Sequence, residues 1–155
     1  MAKTRKVSCV AYLFYDGDDY KTSKVKGINP VYMTKGAACA DVTIPEEVAL
    51  LPGSCTLVDL WIGFEIPAGY KIVMYPRSSL LYKRGIMSPV SIIDNDYSGQ
   101  HVHVPLYNLT SSTIFLKQGE RVAQIECVPA YDSEDWEHTN KERAKVNGGF
   151  GSTGV

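Results

Sequence analysis

The sequence predicts an all-β domain, a Greek-key or jelly-roll barrel with one short helix. Three observations predict it. Short runs of β-branched and aromatic residues recur along the chain, several of them alternate with period two, and turn dipeptides separate them. In the stretch from His101 to Tyr107, for example, odd and even positions face opposite sides of a sheet. The spacing suits antiparallel strands closing on themselves rather than βαβ units. At about 150 residues per domain, a chain of 155 residues holds one compact domain.

In chain order, strands are expected at 7–15, 31–33, 40–44, 55–64, 70–75, 90–93, 101–108, 113–116 and 122–129. Turns are expected at Pro52-Gly53, Ala68-Gly69, Ser98-Gly99 and Gln118-Gly119. A helix is expected over 78–83, with Ser78 or Ser79 as its N-cap and Gly85 as its stop. Residues 133–146 are mostly charged, and Trp136, Ala144 and Val146 do not make an apolar stripe, so this stretch reads as a linker. The domain plan is therefore a β-barrel at 1–132, a linker at 133–146 and a glycine-rich C-terminal arm at 147–155.

Composition excludes several classes of function. Sixteen Lys and Arg against 17 Asp and Glu leave a net charge of -1, which gives no general attraction to nucleic acid or anionic membrane. Hydrophobic residues at 45% and charged residues at 21% exclude wholesale disorder. Cys9, Cys39, Cys55 and Cys127 form no CxxC pair, so neither a zinc module nor a dense disulfide framework is expected, and the thiols read as reduced. Residues 1–15 are too short in apolar run and too polar for a signal peptide, and no run reaches the ~18 residues of a membrane span. A soluble, cytoplasmic protein is expected.

Three clusters carry candidate chemistry. At Pro76-Arg77-Ser78-Ser79-Leu80, a strand gives way to a helical turn and brings backbone amides, two hydroxyls and a guanidinium together, which suits a phosphate; an ordinary capped turn would look the same. Ile93-Asp94-Asn95-Asp96-Tyr97-Ser98-Gly99 sets two acids and a tyrosine at a turn, for a general base, a metal or simple Asx-turn chemistry. The tail from Asn147 to Val155 frames Phe150 with glycines and carries Ser152 and Thr153, groups that could wrap a base and its phosphates. His101 and His103 could pair as metal ligands, but without an evident third they read as a polar sheet face.

Taken in order, these clusters resemble the five motifs of the trimeric dUTP diphosphatase (dUTPase) family. Gly36-Ala-Ala-Cys-Ala-Asp41-Val resembles the first motif and Pro76-Arg-Ser-Ser-Leu80 the second. Ile92-Ile-Asp94-Asn-Asp-Tyr97-Ser-Gly99 resembles the third, Gly119-Glu-Arg-Val-Ala-Gln124 the fourth, and Asn147-Gly-Gly-Phe-Gly-Ser-Thr-Gly154 the fifth. The resemblance runs from about Gly36 to the C-terminus and leaves the first 35 residues without a motif.

The resemblance implies a homotrimer of jelly-roll-like, distorted barrels with shared active sites. It implies Mg²⁺-dependent hydrolysis of dUTP to dUMP and pyrophosphate, which limits uracil incorporation into DNA and supplies dUMP for thymidylate synthesis. By the same resemblance Asp94 is the general base. Arg77, Ser78, Ser79 and Gln124 hold the triphosphate, and Asp41 meets the metal through water. Tyr97 packs on the deoxyribose, Phe150 from a neighbour's arm covers the uracil, and Ser152 and Thr153 close on the phosphates.

The chain departs from the family pattern in three places. The stretch from Lys83 to Asp94 is about two residues shorter than usual, and Ser88 lies nearest the place of the usual asparagine of the uracil-binding hairpin. Lys145-Val146 replaces the usual Arg-Gly at the fifth motif, which turns a bidentate phosphate contact into a point charge. Cys39 replaces a glycine in the first motif. Two alternatives stand beside the diphosphatase: a dCTP deaminase of the same fold, whose catalytic glutamate would fall at Pro105, and a binding protein that kept the fold without the chemistry.

Overall fold

The longest strand organises the domain. In the computed structural model, which describes residues 9–17 and 24–131, strand β11 (Arg121–Pro129) lies between β2 (Ala40–Thr43) and β6 (Tyr70–Pro76), and β8 (Ser91–Ile93) adds to the far side of β6. A second sheet has the order β4 (Cys55–Asp59), β9 (His103–Asn108), β7 (Ile86–Met87). Two strand pairs complete the set, β1 (Val10–Leu13) with β5 (Ile62–Glu65) and β3 (Val48–Leu50) with β10 (Ile114–Leu116). Every pairing is antiparallel. The result is an all-β, jelly-roll-like distorted barrel with one short helix.

Alternation explains how the sheets face one another. In β9, Val104, Leu106 and Asn108 point inward, and their neighbours Pro105 and Tyr107 point outward. The core they join includes Ile44, Leu50, Leu60, Ile62, Ile72, Met74, Ile86 and Leu116, all essentially without solvent contact. Asn108 is buried among them with its amide fully used: Nδ2 donates to Leu50 O (2.9 Å) and Ser112 O (2.7 Å), and Oδ1 accepts from the Thr110 amide (2.9 Å). A buried amide costs little when every lone pair and hydrogen has a partner.

Most expected strands are present, and the exceptions have local causes. The expected single strand over 55–64 is two strands in different sheets, because the chain turns at Leu60-Trp61. Asp59 Oδ1 accepts the Trp61 amide hydrogen at 2.7 Å, and Trp61 takes φ of 52° in the left-handed region. The run expected at 31–33 makes only one bridge, Val31 with Asp41. Strands β3 and β7, three and two residues long, were not expected.

The helix α1 runs Ser78–Arg84 with Arg77, not either serine, in the N-cap position, and no side chain caps it. Gly85 ends it in the left-handed conformation, φ 66°, as expected. The four-thiol expectation is corrected: β1 laid along β5 brings Cys9 to Cys127, and the two form a disulfide with Cα atoms 6.9 Å apart, leaving Cys39 and Cys55 free. The expected linker and arm, and with them Lys145, Phe150, Ser152 and Thr153, lie outside the described residues. Among the described residues, no helix is long and apolar enough to cross a membrane.

Candidate active site

Strand β6 has candidate site residues beyond one end and beside the other. Pro76 closes it, and the chain passes directly through Arg77 into α1, so Arg77, Ser78 and Ser79 stand where strand becomes helix. Across the sheet, β11 sets Gln124 opposite Tyr75 of β6 and opposite Asp41 of β2. A register shift between Arg121 and Ala123 makes this possible. Val122 and Ala123 both turn into the core, and the bulge lets Gln124 face the opening that Asp41 also lines. Together Asp41, Arg77, Ser78, Ser79 and Gln124 border one cleft of about 460 Å³, with Met33 and Cys39 on its rim.

Charge is held tightly there. Asp41 is largely buried, and its two oxygens engage two arginines: Arg77 Nε at 3.2 Å and Arg121 Nη1 at 2.9 Å. Arg77 Nη1 also donates to Arg121 O at 3.0 Å, and Gln124 Nε2 donates to Pro76 O at 3.1 Å. The guanidinium is thus fixed in direction before any ligand arrives, a condition for bidentate recognition of an oxyanion. Two guanidinium groups on one carboxylate leave this three-residue cluster one positive charge in excess.

Cys39 adds no charge beside it. Burial, with Glu126 and Asp41 nearby, pushes its thiol above the ordinary range, so the neutral form is favoured. Behind it Tyr75 donates its hydroxyl to Glu126 at 2.8 Å, and that bond raises the tyrosine as well.

Asp94 does not line this cleft. It follows β8, whose Ile93 pairs with Ile72 at the start of β6, and it borders a separate concavity with Tyr70, Lys71, Asp96 and Tyr131. The six steps of extended chain from Lys71 to Arg77 span roughly 20 Å at about 3.3 Å per residue. Within one chain, then, the acid and the guanidinium are far apart.

Asp94 is exposed, and the turn that follows it is pinned from behind: Ser98 Oγ accepts the Ile66 amide hydrogen at 3.1 Å and donates to Asn95 O at 2.6 Å. Tyr97 sits on the one 3₁₀ turn among the described residues, Asn95–Tyr97. Ser88 is buried, with its hydroxyl on Pro89 O (3.3 Å), in a connection where β7 and β8 pair into different sheets rather than with each other.

Arg121 was not singled out from sequence. It lies in the fourth motif, but its partner Asp41 is 80 residues away, and only the β2–β11 register brings them together. His101 and His103 both approach Asp59 Oδ2, at 2.8 and 3.8 Å. Among the described residues no group of three potential ligands could hold a metal ion.

An all-β jelly-roll with a cleft that collects one oriented guanidinium, two hydroxyls and a carboxamide around a braced carboxylate has the groups that oligophosphate recognition requires. The chain belongs to the dUTPase family, whose pattern matches residues 26–154. It is 39% identical over 132 residues to the deoxyuridine 5'-triphosphate nucleotidohydrolase of Chlamydia pneumoniae, covering 81% of this chain and 90% of that protein. In fold it is similar to a Staphylococcus bacteriophage 80alpha dUTPase solved with dUpNHpp, at TM-score 0.79 and 19% identity over 97% of this chain and all of that one. It is also similar to the dUTPase of phage phi11 of S. aureus, a structure that describes coordination of a structural Mg(II) ion, at TM-score 0.74 and 17% identity, covering 87% and 98%.

Proposed function

We propose that the protein hydrolyses dUTP to dUMP and pyrophosphate at sites shared between three copies of the chain. The observation that carries the reading is the cleft at the end of β6, where Arg77, Ser78, Ser79 and Gln124 converge, with the guanidinium and the carboxamide already held in direction. There the triphosphate oxygens take the guanidinium, the two hydroxyls and the carboxamide. Asp94 holds a water and takes its proton as the oxygen attacks the α-phosphorus. The bond between that phosphorus and the bridging oxygen breaks, and pyrophosphate leaves. Rate arises from placement and charge neutralisation, since phosphoryl chemistry asks little covalent work of a protein.

The roughly 20 Å between the two ends of β6 supports the shared site. A water on Asp94 cannot reach a phosphorus held by Arg77 of the same chain, but a second copy can supply the missing half. Tyr97, beside Asp94, packs on the deoxyribose where a 2′-hydroxyl finds no room, and Ser88 supports the connection that reads uracil. The arm of a further copy brings Phe150 over the base, Ser152 and Thr153 to the phosphates, and Lys145 as a point charge.

Asp41 fits Mg²⁺ through its water shell. That ion keeps most of its waters and takes phosphate oxygens, so one carboxylate suffices, and the two arginine contacts on Asp41 favour an outer role. When bound, Mg²⁺ neutralises phosphate charge and favours departure of pyrophosphate. The deaminase alternative is disfavoured by Pro105, which offers no acid on β9.

A panel of deoxynucleoside triphosphates with Mg²⁺ tests the reading. Pyrophosphate is expected from dUTP far faster than from dTTP, dCTP or UTP. Ammonia from dCTP would favour the deaminase, and no pyrophosphate from dUTP would overturn the proposal.

A further inference from the structure

The first 35 residues match none of the five motifs, yet they reach the one element that bears the sugar-facing tyrosine. Tyr97 donates its hydroxyl to the backbone carbonyl of His101 at 3.0 Å. A carbonyl can only accept, so His103 Nδ1, 3.1 Å from the same oxygen, carries its hydrogen and donates there too. The direction of the Tyr97 ring therefore follows the position of residue 101.

The His101 ring is gripped on several sides. Its Nδ1 donates to Asp59 Oδ2 at 2.8 Å. Its face stacks on Phe14, with ring centroids 3.7 Å apart, and Trp61 meets it edge-on at 5.2 Å. Asp59 serves both neighbours, because its other oxygen holds the Trp61 amide at the left-handed corner between β4 and β5. Lys26 Nζ lies 4.1 Å from the Trp61 ring centre and closes the outer side.

Gly63 makes the close approach of Phe14 possible. A Cβ on Gly63 would stand 2.6 Å from Gln100 O and 3.0 Å from Phe14 Cε2, so glycine is what lets Phe14 press against the 100–101 segment. The main chain joins in: Phe14 N–H donates to Trp61 O at 3.0 Å, Val102 N–H to Ile62 O at 2.8 Å and Gly99 N–H to Phe64 O at 3.0 Å.

We propose that His101, locked by Asp59, Phe14 and Trp61, is a positioning residue that sets the Tyr97 ring and thereby the choice of deoxyribose over ribose. This rests on the Tyr97 role given above. Phe14 and Lys26 supply part of the lock, which gives the N-terminal segment a function in specificity.

The experiment compares kcat/KM for dUTP and for UTP in wild type, Tyr97→Ala, Tyr97→Phe, His101→Ala and Tyr97→Phe/His101→Ala. His101→Ala keeps the accepting carbonyl and removes only the lock. The dUTP:UTP ratio is expected to fall about tenfold in His101→Ala and in Tyr97→Phe, and the double variant is expected to fall no further, since both act through one ring. His101→Gln, which can still donate to Asp59, should recover part of the ratio.

If His101→Ala unfolds, Phe14→Leu weakens the same lock from the N-terminal side and is expected to lower the ratio several-fold. A normal ratio in a folded His101→Ala or Phe14→Leu protein, with Tyr97→Ala collapsing it, overturns this inference and leaves the sugar-pocket reading standing. A normal ratio in Tyr97→Ala overturns that reading itself.

Discussion

The two ends of β6 are built on opposite principles. Beyond Pro76, Arg77 is tied to Asp41 and to the Arg121 carbonyl, and Asp41 is tied to Arg121, so each charged group is braced by another. Beside Lys71, Asp94 stands exposed, with its bracing one step removed, in the contacts of Asn95 and Ser98 with Ile66 and of Tyr97 with the His101 carbonyl. The difference teaches which end is complete. On the proposed reading the cleft holds anionic phosphates, and such a site needs its cations oriented in advance, because water would otherwise screen them. An acid that must take a proton from water has to remain accessible, and on the proposed reading it finds its partners only on another copy.

The sharpest way to break the comparison is Asp94→Asn. Loss of a general base costs about 10²–10⁴ in rate, so turnover of dUTP is expected to fall at least a hundredfold. Because Asp94 is exposed and carries no packing, the thermal midpoint should stay within a degree or two of wild type. A large loss of stability would show that this end is structural after all. Arg77→Ala acts at the braced end and should do both kinds of damage. Turnover is expected to drop about a hundredfold, and stability by about 2 kcal/mol, because Asp41 loses one of its two partners in a largely buried setting. Urea unfolding of the two variants side by side separates the ends.

Mixing the two inactive proteins sharpens the point. If each site takes Asp94 from one chain and Arg77 from another, unfolding and refolding the two together at equal amounts should restore roughly a quarter of wild-type activity by random assortment. If both groups serve one site from one chain, the mixture stays inactive. Sedimentation of the wild type at three times 17.1 kDa is the companion measurement.

Much of the barrel was legible because alternation and turn dipeptides act locally. Strands β6, β9 and β11 follow their apolar patterns closely. What escaped depends on contacts between distant segments. The apolar run from Cys55 to Phe64 reads as one strand because nothing in its pattern reveals that the Asp59 side chain will capture the Trp61 amide and turn the chain into another sheet. The Cys9–Cys127 bond spans 118 residues and depends on β1 lying along β5, which no local pattern shows.

The site divides the same way. Arg77, Ser78, Ser79, Gln124 and Asp41 stood out through their motifs, but the bridging role of Arg121 and the separation of Asp94 from the cleft follow from strand register. The lock around His101 was invisible for the same reason, since it joins Phe14, Asp59 and Trp61 across three strand ends.

The smallest expected effect lies at the rim of the braced end, in Cys39. Its thiol is raised first by burial and then by Glu126 and Asp41. In the unfolded chain the thiol loses its proton near its ordinary 9.0, while the folded protein still holds it. The native state then binds more protons than the unfolded state, so stability falls as pH rises through that window. Cys39→Ala removes the group, and its stability curve should therefore decline less steeply than that of wild type above pH 9.0 and run parallel below it. Tyr12 and Tyr107 are raised by other neighbours, titrate in both proteins and cancel in the difference, whereas Tyr75, raised in part by Cys39, is raised less once the thiol is gone and shifts the difference the same way. Parallel curves throughout would mean that Cys39 ionises as freely in the cleft as in water, and that the cleft tolerates a second anion beside Asp41.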